Sequence, residues 1–114
     1  TSHFTLQSTI DKDPPKMQAF VTALWRATQW IKMHSPDEIY DSIEPYVGST
    51  SRAANILEIT ALQKVADYEA TIDAAGFARG EKVWFREMTG IKPLTIADVV
   101  SPTFIEVARK AYPG

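Results

Sequence analysis

The stretch TIDKDPPKMQAFVTALWRATQWIKMHSPDEI, residues Thr9 to Ile39, decides the fold because it spells out a long helix with a marked beginning and end. Asp13 precedes two prolines, and an N-cap residue followed by proline in the first turn is a typical helix start. After His34 the chain turns again at a Ser-Pro pair, which ends the helical pattern. The stretch therefore predicts a helix over residues 14–34.

This helix has more large apolar side chains than one face can hold. At about 100° per residue, a single sector centred near Leu24 makes an adequate packing face. Its members are Met17, Phe20, Val21, Leu24, Ala27 and Ile31. Trp25 and Trp30 project to either side of this sector, and Met33 points nearly opposite to it.

Two interpretations account for the extra apolar side chains. In the simpler one, the tryptophans Trp25 and Trp30 cover the edge of the core, since single exposed apolar residues are common. In the other, the helix packs against polypeptide outside this chain, or against a second copy of it, through an exposed apolar patch. Periodicity alone does not separate the two interpretations.

Caps and apolar spacing mark the next helices. Ser35 and Glu38 have the spacing of a capping box that opens a short second helix, which Gly48 ends at the latest. Thr50 or Ser51 can cap the third helix. Its apolar stripe consists of Ala54, Leu57, Ala61, Val65 and Tyr68, whereas Ile56 and Ile59 lie away from that stripe.

The C-terminal part of the chain contains two more predicted helices and one isolated turn. Gly90 suits the C-terminal cap of the fourth helix. Thr95 with Asp98 can open a single turn, and Ser101, again before a proline, repeats the start signal for a last helix.

The predicted fold class is mainly α, with about five helices and at most one short N-terminal strand. The alternation of Phe4, Leu6 and Ile10 predicts the strand. Residues 1–114 form a single helical segment in this prediction, with strand-like residues 3–10 and helices at about 14–34, 36–46, 51–71, 79–89 and 102–111.

The composition is that of one ordinary globular domain, and it excludes several classes of function. The 114 residues are 45% hydrophobic and 23% charged, which is enough apolar material to bury a core. A net charge of -2 without runs of like charge offers no electrostatic footprint for nucleic acid. The chain has no cysteine, no apolar run that could span a bilayer and no signal-peptide pattern, so an exported protein would need a leader outside this sequence.

The sequence predicts no enzyme activity, no metal and no cofactor, and it marks no ligand-binding residue. His3 and His34 are the only histidines and lie far apart in the chain, so a metal site would need carboxylates in unmarked positions. Ser35 and Ser101 occupy cap positions, and no nucleophile motif surrounds them.

Pairs of carboxylates have a structural interpretation. Asp37 with Glu38, and Glu81 with Glu87, could be imagined as acid and base. General acid-base chemistry needs convergence on a cleft, however, and helical surface spacing does not show it. We therefore expect these four side chains to be solvated.

Aromatic residues are likewise expected to be structural. The run from Lys82 to Arg86 mixes cations with aromatic rings, which could hold an anion or stack on a base. Helical spacing instead predicts Val83 inward and both cations outward. Tyr40 and Tyr46 are expected to anchor the second helix.

Three motifs follow one another along the chain. A proline-led helix carries the run QAFVTALWRATQW from Gln18 to Trp30. A short helix opened by a His-Ser-Pro turn follows at residues 34–36, and a GI…DVV…F run extends over residues 90–104. In this order the motifs resemble the C-terminal region of periplasmic substrate-binding proteins of the nitrate, sulfonate and taurine type of ABC importer. The similarity covers roughly residues 6–111, and the order and spacing of the motifs carry it.

The resemblance implies the C-terminal fragment of a two-lobed, hinged α/β protein of the periplasmic-binding-protein fold. Such a protein is periplasmic or extracellular, closes over a small anionic or sulfonate-like solute and delivers it to an ABC permease in the membrane. This sequence departs from the family by lacking the preceding portion, which supplies the parallel sheets and most of the ligand cleft.

The missing N-terminal portion is therefore a predicted partner for the flanks of Trp25 and Trp30. Residues 3–10 would then be a strand near the hinge, where they could approach the solute. Two hypotheses from other classes stay open. One is a stand-alone α-helical interaction module that forms a homo-oligomer or holds a partner, and the weaker one is a regulatory domain cut from an enzyme.

Overall fold

Helices make up all the regular secondary structure of the part of the chain that the structure describes. The structure is a computed structural model that describes residues 3–48, 51–90 and 92–113. In these ranges the helices are α1 (Gln7–Lys12), α2 (Pro14–Met33), α3 (Pro36–Val47), α4 (Arg52–Val65), α5 (Ala74–Trp84), α6 (Ile96–Val99) and α7 (Thr103–Ala111). The prediction of a mainly α fold is confirmed.

Side-chain caps fix the beginnings of the helices α2 and α3. The Asp13 carboxylate accepts the backbone N–H of Lys16 at 3.0 Å, and two prolines follow in the first turn of α2. At the start of α3, Ser35 Oγ accepts the N–H of Glu38 at 3.3 Å, and Glu38 Oε2 accepts the N–H of Ser35 at 2.8 Å. Gly48 ends α3 with a φ of 72°, which glycine adopts without strain.

The strand predicted over residues 3–10 does not form, because α1 begins at Gln7. The backbone N–H groups of Thr9 and Ile10 both donate to the carbonyl of Leu6, at 3.0 and 3.3 Å. Gln7 Nε2 donates to Asp11 Oδ1 at 2.7 Å, one turn further along. A strand would need a partner strand, and residues 3–48, 51–90 and 92–113 contain none. Local helical bonds satisfy the backbone instead.

A turn built by Asp67 follows α4, which ends at Val65 rather than near residue 71. The Asp67 carboxylate accepts the N–H groups of Glu69 at 2.9 Å and of Thr71 at 2.7 Å. An aspartate that bonds to nearby backbone amides in this way offers the chain an alternative to the helix. The long third helix predicted by periodicity is therefore shortened.

Asp73 starts the next helix earlier than the sequence pattern indicates. Its carboxylate accepts the N–H of Gly76 at 2.6 Å, so α5 spans Ala74–Trp84 instead of residues 79–89. Gly90 has a φ of 80° and lies in the chain beyond α5, so its predicted role as the C-terminal cap of this helix is wrong.

The caps of α4, α6 and α7 differ from one another. Ser51 Oγ accepts the N–H of Ala54 at 3.5 Å and caps α4, whereas Thr50, the other candidate cap, lies outside the described residues. The predicted turn at α6 has its capping box, in which Asp98 Oδ2 accepts the N–H of Thr95 at 2.7 Å. α7 begins after Pro102 without a side-chain cap, so the capping role predicted for the preceding serine is wrong.

The apolar stripe of α4 predicts which face of this helix packs on the protein, but in the structure the opposite face packs there. Leu57 and Val65 of the stripe are 72% and 79% exposed. Ile56 and Ile59, which lie away from the stripe, are half-buried. Both faces of this helix are apolar, and the chain covers only one of them.

Side-chain amides hold α4 and the segment that follows it against α2. Gln63, on the same face of α4 as the half-buried isoleucines, donates from Nε2 to the carbonyls of Ile31 and His34 at 2.8 and 2.9 Å. Gln29 of α2 donates from Nε2 to the carbonyl of Tyr68 at 2.8 Å. The two Gln63 bonds satisfy carbonyls at the end of α2 and fix which face of α4 is inward.

Two small packed regions form the interior. The most extensive helix contacts join α2 to α7 and α3 to α4, and a smaller one joins α1 to α2. The buried hydrophobic residues of the described chain are Trp25 on α2, Ala108 on α7, and Ile39 and Tyr40 on α3. The region between α2 and α7 thus buries one residue of each helix, whereas the region between α3 and α4 buries two residues of α3 and none of α4.

The molecule is more open than a compact domain of its size. Its radius of gyration is 17.3 Å, whereas about 13 Å is expected for a compact domain of this length. Its accessible surface is 8958 Å², whereas about 6,200 Å² is expected for its mass. The helices therefore leave much apolar surface uncovered.

Candidate functional site

A cleft of about 540 Å³ lies between α2 and α7. Its volume falls within the range of ~300 to 1,000 Å³ that is usual for small-molecule sites. The walls are mostly apolar and include Val21, Leu24, Ile72, Val100 and Ile105. The polar and charged side chains at its walls are those of His3, Thr28, Thr71, Ser101, Glu106 and Arg109.

Trp25 lines this cleft and is only 4% exposed. Its indole N–H donates to the carbonyl of Tyr112 at 2.8 Å, and the guanidinium carbon of Arg109 lies 5.5 Å from the centre of its ring. The C-terminal segment of this chain therefore covers Trp25. The prediction that polypeptide outside the chain covers this residue is wrong.

Trp30 has different surroundings from Trp25. It is 37% exposed, and its ring stacks on the imidazole of His34 with 4.1 Å between the ring centres. The His34 Nδ1 atom also lies 2.7 Å from the carbonyl oxygen of Trp30. Part of the indole remains as uncovered apolar surface.

Arg109 has more charge and hydrogen-bonding capacity than its neighbours use. Its Nη2 donates to the carbonyl of Glu69, while its Nε is shielded from solvent and has no hydrogen-bond partner among the described residues. No carboxylate of residues 3–48, 51–90 and 92–113 lies within ion-pair distance of it. A buried donor without an acceptor costs about 1 to 3 kcal/mol, so this guanidinium is an incompletely satisfied group.

Sequence reasoning did not find Arg109. The arginine lies at the edge of the apolar face of a short amphipathic helix, one turn after Ile105, and a charged residue at such an edge is usually interpreted as solvated. The packing of α7 on α2 brings Arg109 to Trp25. The hydrogen bond from Trp25 to Tyr112 in this region joins residues that are 87 positions apart in the sequence. No local pattern signals such a contact.

A second cavity of about 250 Å³ is also lined by Arg109 and Trp25. Its lining includes Gln29, Lys32 and Glu69. Lys32 Nζ lies 3.9 Å from Glu69 Oε1, and both side chains are largely exposed, so this ion pair contributes little to stability. Arg109 thus lines both cavities.

The turn at residues 67–71 forms one edge of the larger cleft through Ala70 and Thr71. The N–H of Thr71 is the main reason why the pKa of Asp67 lies below its ordinary value, and the N–H of Glu69 adds to the effect. Ala70 has a φ of 48°, in the left-handed region, which costs roughly 1 kcal/mol for a residue with a side chain. The ionised Asp67 carboxylate therefore holds a strained turn in place.

The two histidines have separate structural contacts. His3 packs its ring edge-to-face against Phe20, with 5.9 Å between the ring centres, and it lines the cleft. His34 stacks on Trp30. Among the described residues, no group of three or more histidine, aspartate or glutamate side chains is arranged to hold a metal ion.

The carboxylates at the start of α3 have structural partners. The backbone N–H of Ser35 is the main cause of the lowered pKa of Glu38. Asp37 and Asp41 accept hydrogen bonds from Arg52 at 2.8 and 2.5 Å, and these bonds raise the pKa of the Arg52 guanidinium. This cluster joins α3 to α4, and all of its charged members are exposed to water.

The two tyrosines of α3 differ in their environment. Tyr40 is buried, with the guanidinium carbon of Arg52 4.9 Å from its ring centre, and it anchors the helix as predicted. Tyr46 is 86% exposed, so the same prediction for this residue is wrong. Six residues of helix turn the chain by about 240° beyond a full turn, which places Tyr46 on another side of α3.

The run from Lys82 to Arg86 does not form a packed face. Val83 is exposed, so the prediction that it points inward is wrong. The physical reason is that α5 makes no extensive contact with another helix of the described chain. Glu81 has a structural partner, because its Oε1 accepts the backbone N–H of Leu94 at 3.0 Å.

Comparisons with protein-family models, with curated proteins and with solved structures find nothing that matches this chain. None of the helices in the described residues has the length and apolar character needed to cross a membrane.

Proposed function

We propose that this chain is the C-terminal helical part of an extracytoplasmic solute-binding protein that delivers a small anionic or sulfonate-like solute to an ABC import permease. In this proposal the protein works in the periplasm or outside the cell, and the helices pack on the lobe that holds the parallel sheet. Solute binding then takes place in the intact protein through hinge closure.

The observation that supports the proposal most is the large apolar surface that the chain leaves uncovered. Leu57 and Val65 on α4, Val83 and Trp84 on α5, and part of Trp30 on α2 all face solvent. Monomeric soluble proteins rarely expose contiguous apolar patches beyond a few hundred Å². A helical layer of this kind is understood most simply as one side of a larger body.

The resemblance described for residues 6–111 supplies the second support. The motifs at residues 18–30 and 34–36 coincide with α2 and the start of α3. The third motif, over residues 90–104, covers α6 and the first turn of α7. Since the motifs describe helix cores and caps, they support the helical part of such a protein and leave the solute-contacting residues to the rest of it.

The reading frame upstream of this sequence tests the proposal first. We expect it to encode an export leader followed by alternating strands and helices. Thermal-shift measurements on the full-length protein against nitrate, sulfonates, taurine and pyrimidines then identify the solute class, with the isolated chain as the control. An upstream frame without such a lobe, or a saturable micromolar response of the isolated chain to these solutes, contradicts the proposal.

The uncovered stripe of α4 favours a second candidate, a stand-alone helical module that dimerises. The stripe Ala54, Leu57, Ala61 and Val65 alternates small and large apolar residues along one face, which is suited to close helix packing. Sedimentation velocity over a range of concentrations tests this candidate. A dimer that Leu57→Lys dissociates supports it, and a monomer at all concentrations excludes it.

A further inference from the structure

We propose that the cleft between α2 and α7 binds an amphipathic monocarboxylate, with the carboxylate at Arg109 and the apolar chain along the wall formed by Val21, Leu24 and Ile105. This site lies within the present chain, so it does not depend on the proposed role in solute import.

The charge of Arg109 determines the class of ligand. No carboxylate of the described residues lies within ion-pair distance of its guanidinium, although the Asp67 carboxylate interacts with it electrostatically from beyond that distance. Its Nη2 donates to the carbonyl of Glu69, which leaves the positive charge without an adjacent anion. A carboxylate is the group that a guanidinium binds best in geometry and charge. The ring of Trp25 lies on one side of the guanidinium, which limits its orientation and excludes water from that side.

The remaining walls of the cleft determine the body of the ligand. Val21, Leu24, Val100 and Ile105 present apolar side chains that are all half-buried rather than covered. An alkyl chain gains by burial against such a wall, whereas a small inorganic anion would gain nothing there.

Glu106 also lines the cleft, one helical turn before Arg109, and it provides a second, independent test of where the carboxylate binds. Its side chain is exposed and it does not form an ion pair with Arg109. A bound carboxylate is repelled by this charge. Removal of the charge should therefore strengthen binding.

The experiment uses octanoate, kept below its micelle concentration, and follows the indole N–H signal of Trp25 by NMR. We expect saturable shifts with a dissociation constant in the millimolar range, as suits a ligand of this size. Octanamide, which has the same apolar chain without the charge, should bind about tenfold more weakly. Equal binding of octanoate and octanamide, or no saturable shift, overturns the proposal.

Matched variants locate the site. Arg109→Gln should weaken octanoate binding about tenfold, while Lys110→Gln, the same charge change at the exposed neighbouring residue, should leave it unchanged. Glu106→Gln should strengthen binding about twofold to fivefold. If Arg109→Gln does not fold, as circular dichroism would show, the response to Glu106→Gln decides; no gain there, or full binding by a folded Arg109→Gln, contradicts the assignment.

Discussion

Trp25 and Trp30 lie on the same helix, yet they meet different surroundings. Trp25 is enclosed by α7 and the residues after it, and its indole N–H is hydrogen-bonded. Trp30 keeps more than a third of its surface in contact with water. The two residues therefore make a matched pair for measuring what each contributes to stability.

Trp25→Ala should lower the free energy of unfolding by about 3 to 5 kcal/mol, because it removes a buried aromatic side chain and leaves the carbonyl of Tyr112 without its donor. Trp30→Ala should cost about 1 kcal/mol, since much of its ring is already exposed. Urea unfolding followed by circular dichroism measures both. Equal losses of unfolding free energy for the two variants would show that Trp25 is not more enclosed than Trp30.

Asp67 gives a prediction about pH. Its folded-state pKa lies below the ordinary value of 3.8, so its contribution to stability is present above that value and is lost as the pH falls through the folded pKa. We expect the amide of Thr71 to lose protection from hydrogen exchange as the solution is acidified below about pH 4. Asp67→Asn should remove this pH dependence; a wild-type turn that is unchanged by acid contradicts the role of the carboxylate.

At the scale of the helices, α4 carries two apolar faces, and polar anchors decide which one is inward. Gln63 binds the carbonyls at the end of α2, and Arg52 binds the carboxylates of Asp37 and Asp41 on α3. Hydrophobic periodicity identifies both faces but does not distinguish them. The contacts of the Gln63 amide and the Arg52 guanidinium determine which face packs inward.

Ile59→Ala should therefore destabilise the protein more than Leu57→Ala. The half-buried isoleucine should cost about 1 to 3 kcal/mol, and the exposed leucine less than about 0.5 kcal/mol. Both substitutions replace a branched aliphatic side chain by the same residue on one helix, so differences in helix propensity are small. The midpoint of urea unfolding measures the two effects, and the reverse order would mean that the stripe containing Leu57 is the inward face.

Short-range signals predicted the elements that they control. Asp13 with its prolines, and Ser35 with Glu38, fix the beginnings of α2 and α3 within a few residues of sequence. The prediction of a strand over residues 3–10 is wrong because an alternating pattern does not by itself supply the partner strand that a strand needs. The turn at Asp67 and the cap at Asp73 were missed because aspartates compete with the helix through side-chain bonds that periodicity does not register.

At the scale of the whole molecule, the cleft at Arg109 could not be predicted from the sequence. It exists because α7 returns to α2 from the far end of the chain and brings Arg109 over Trp25. Such a contact depends on the path of the intervening helices rather than on any local motif. The openness of the molecule is also a property of the whole. Of the surplus apolar residues on α2, Trp30 and Met33 are exposed, whereas the chain itself covers Trp25, and the periodicity of α2 does not distinguish these cases.

Small-angle X-ray scattering on a dilute sample, shown to be monomeric by sedimentation, tests most directly whether these helices leave their apolar faces open. We expect a radius of gyration near 17.3 Å, as in the structure. A value near the ~13 Å of a compact domain would show that the helices close on themselves, and would contradict the proposal that they form one side of a larger body.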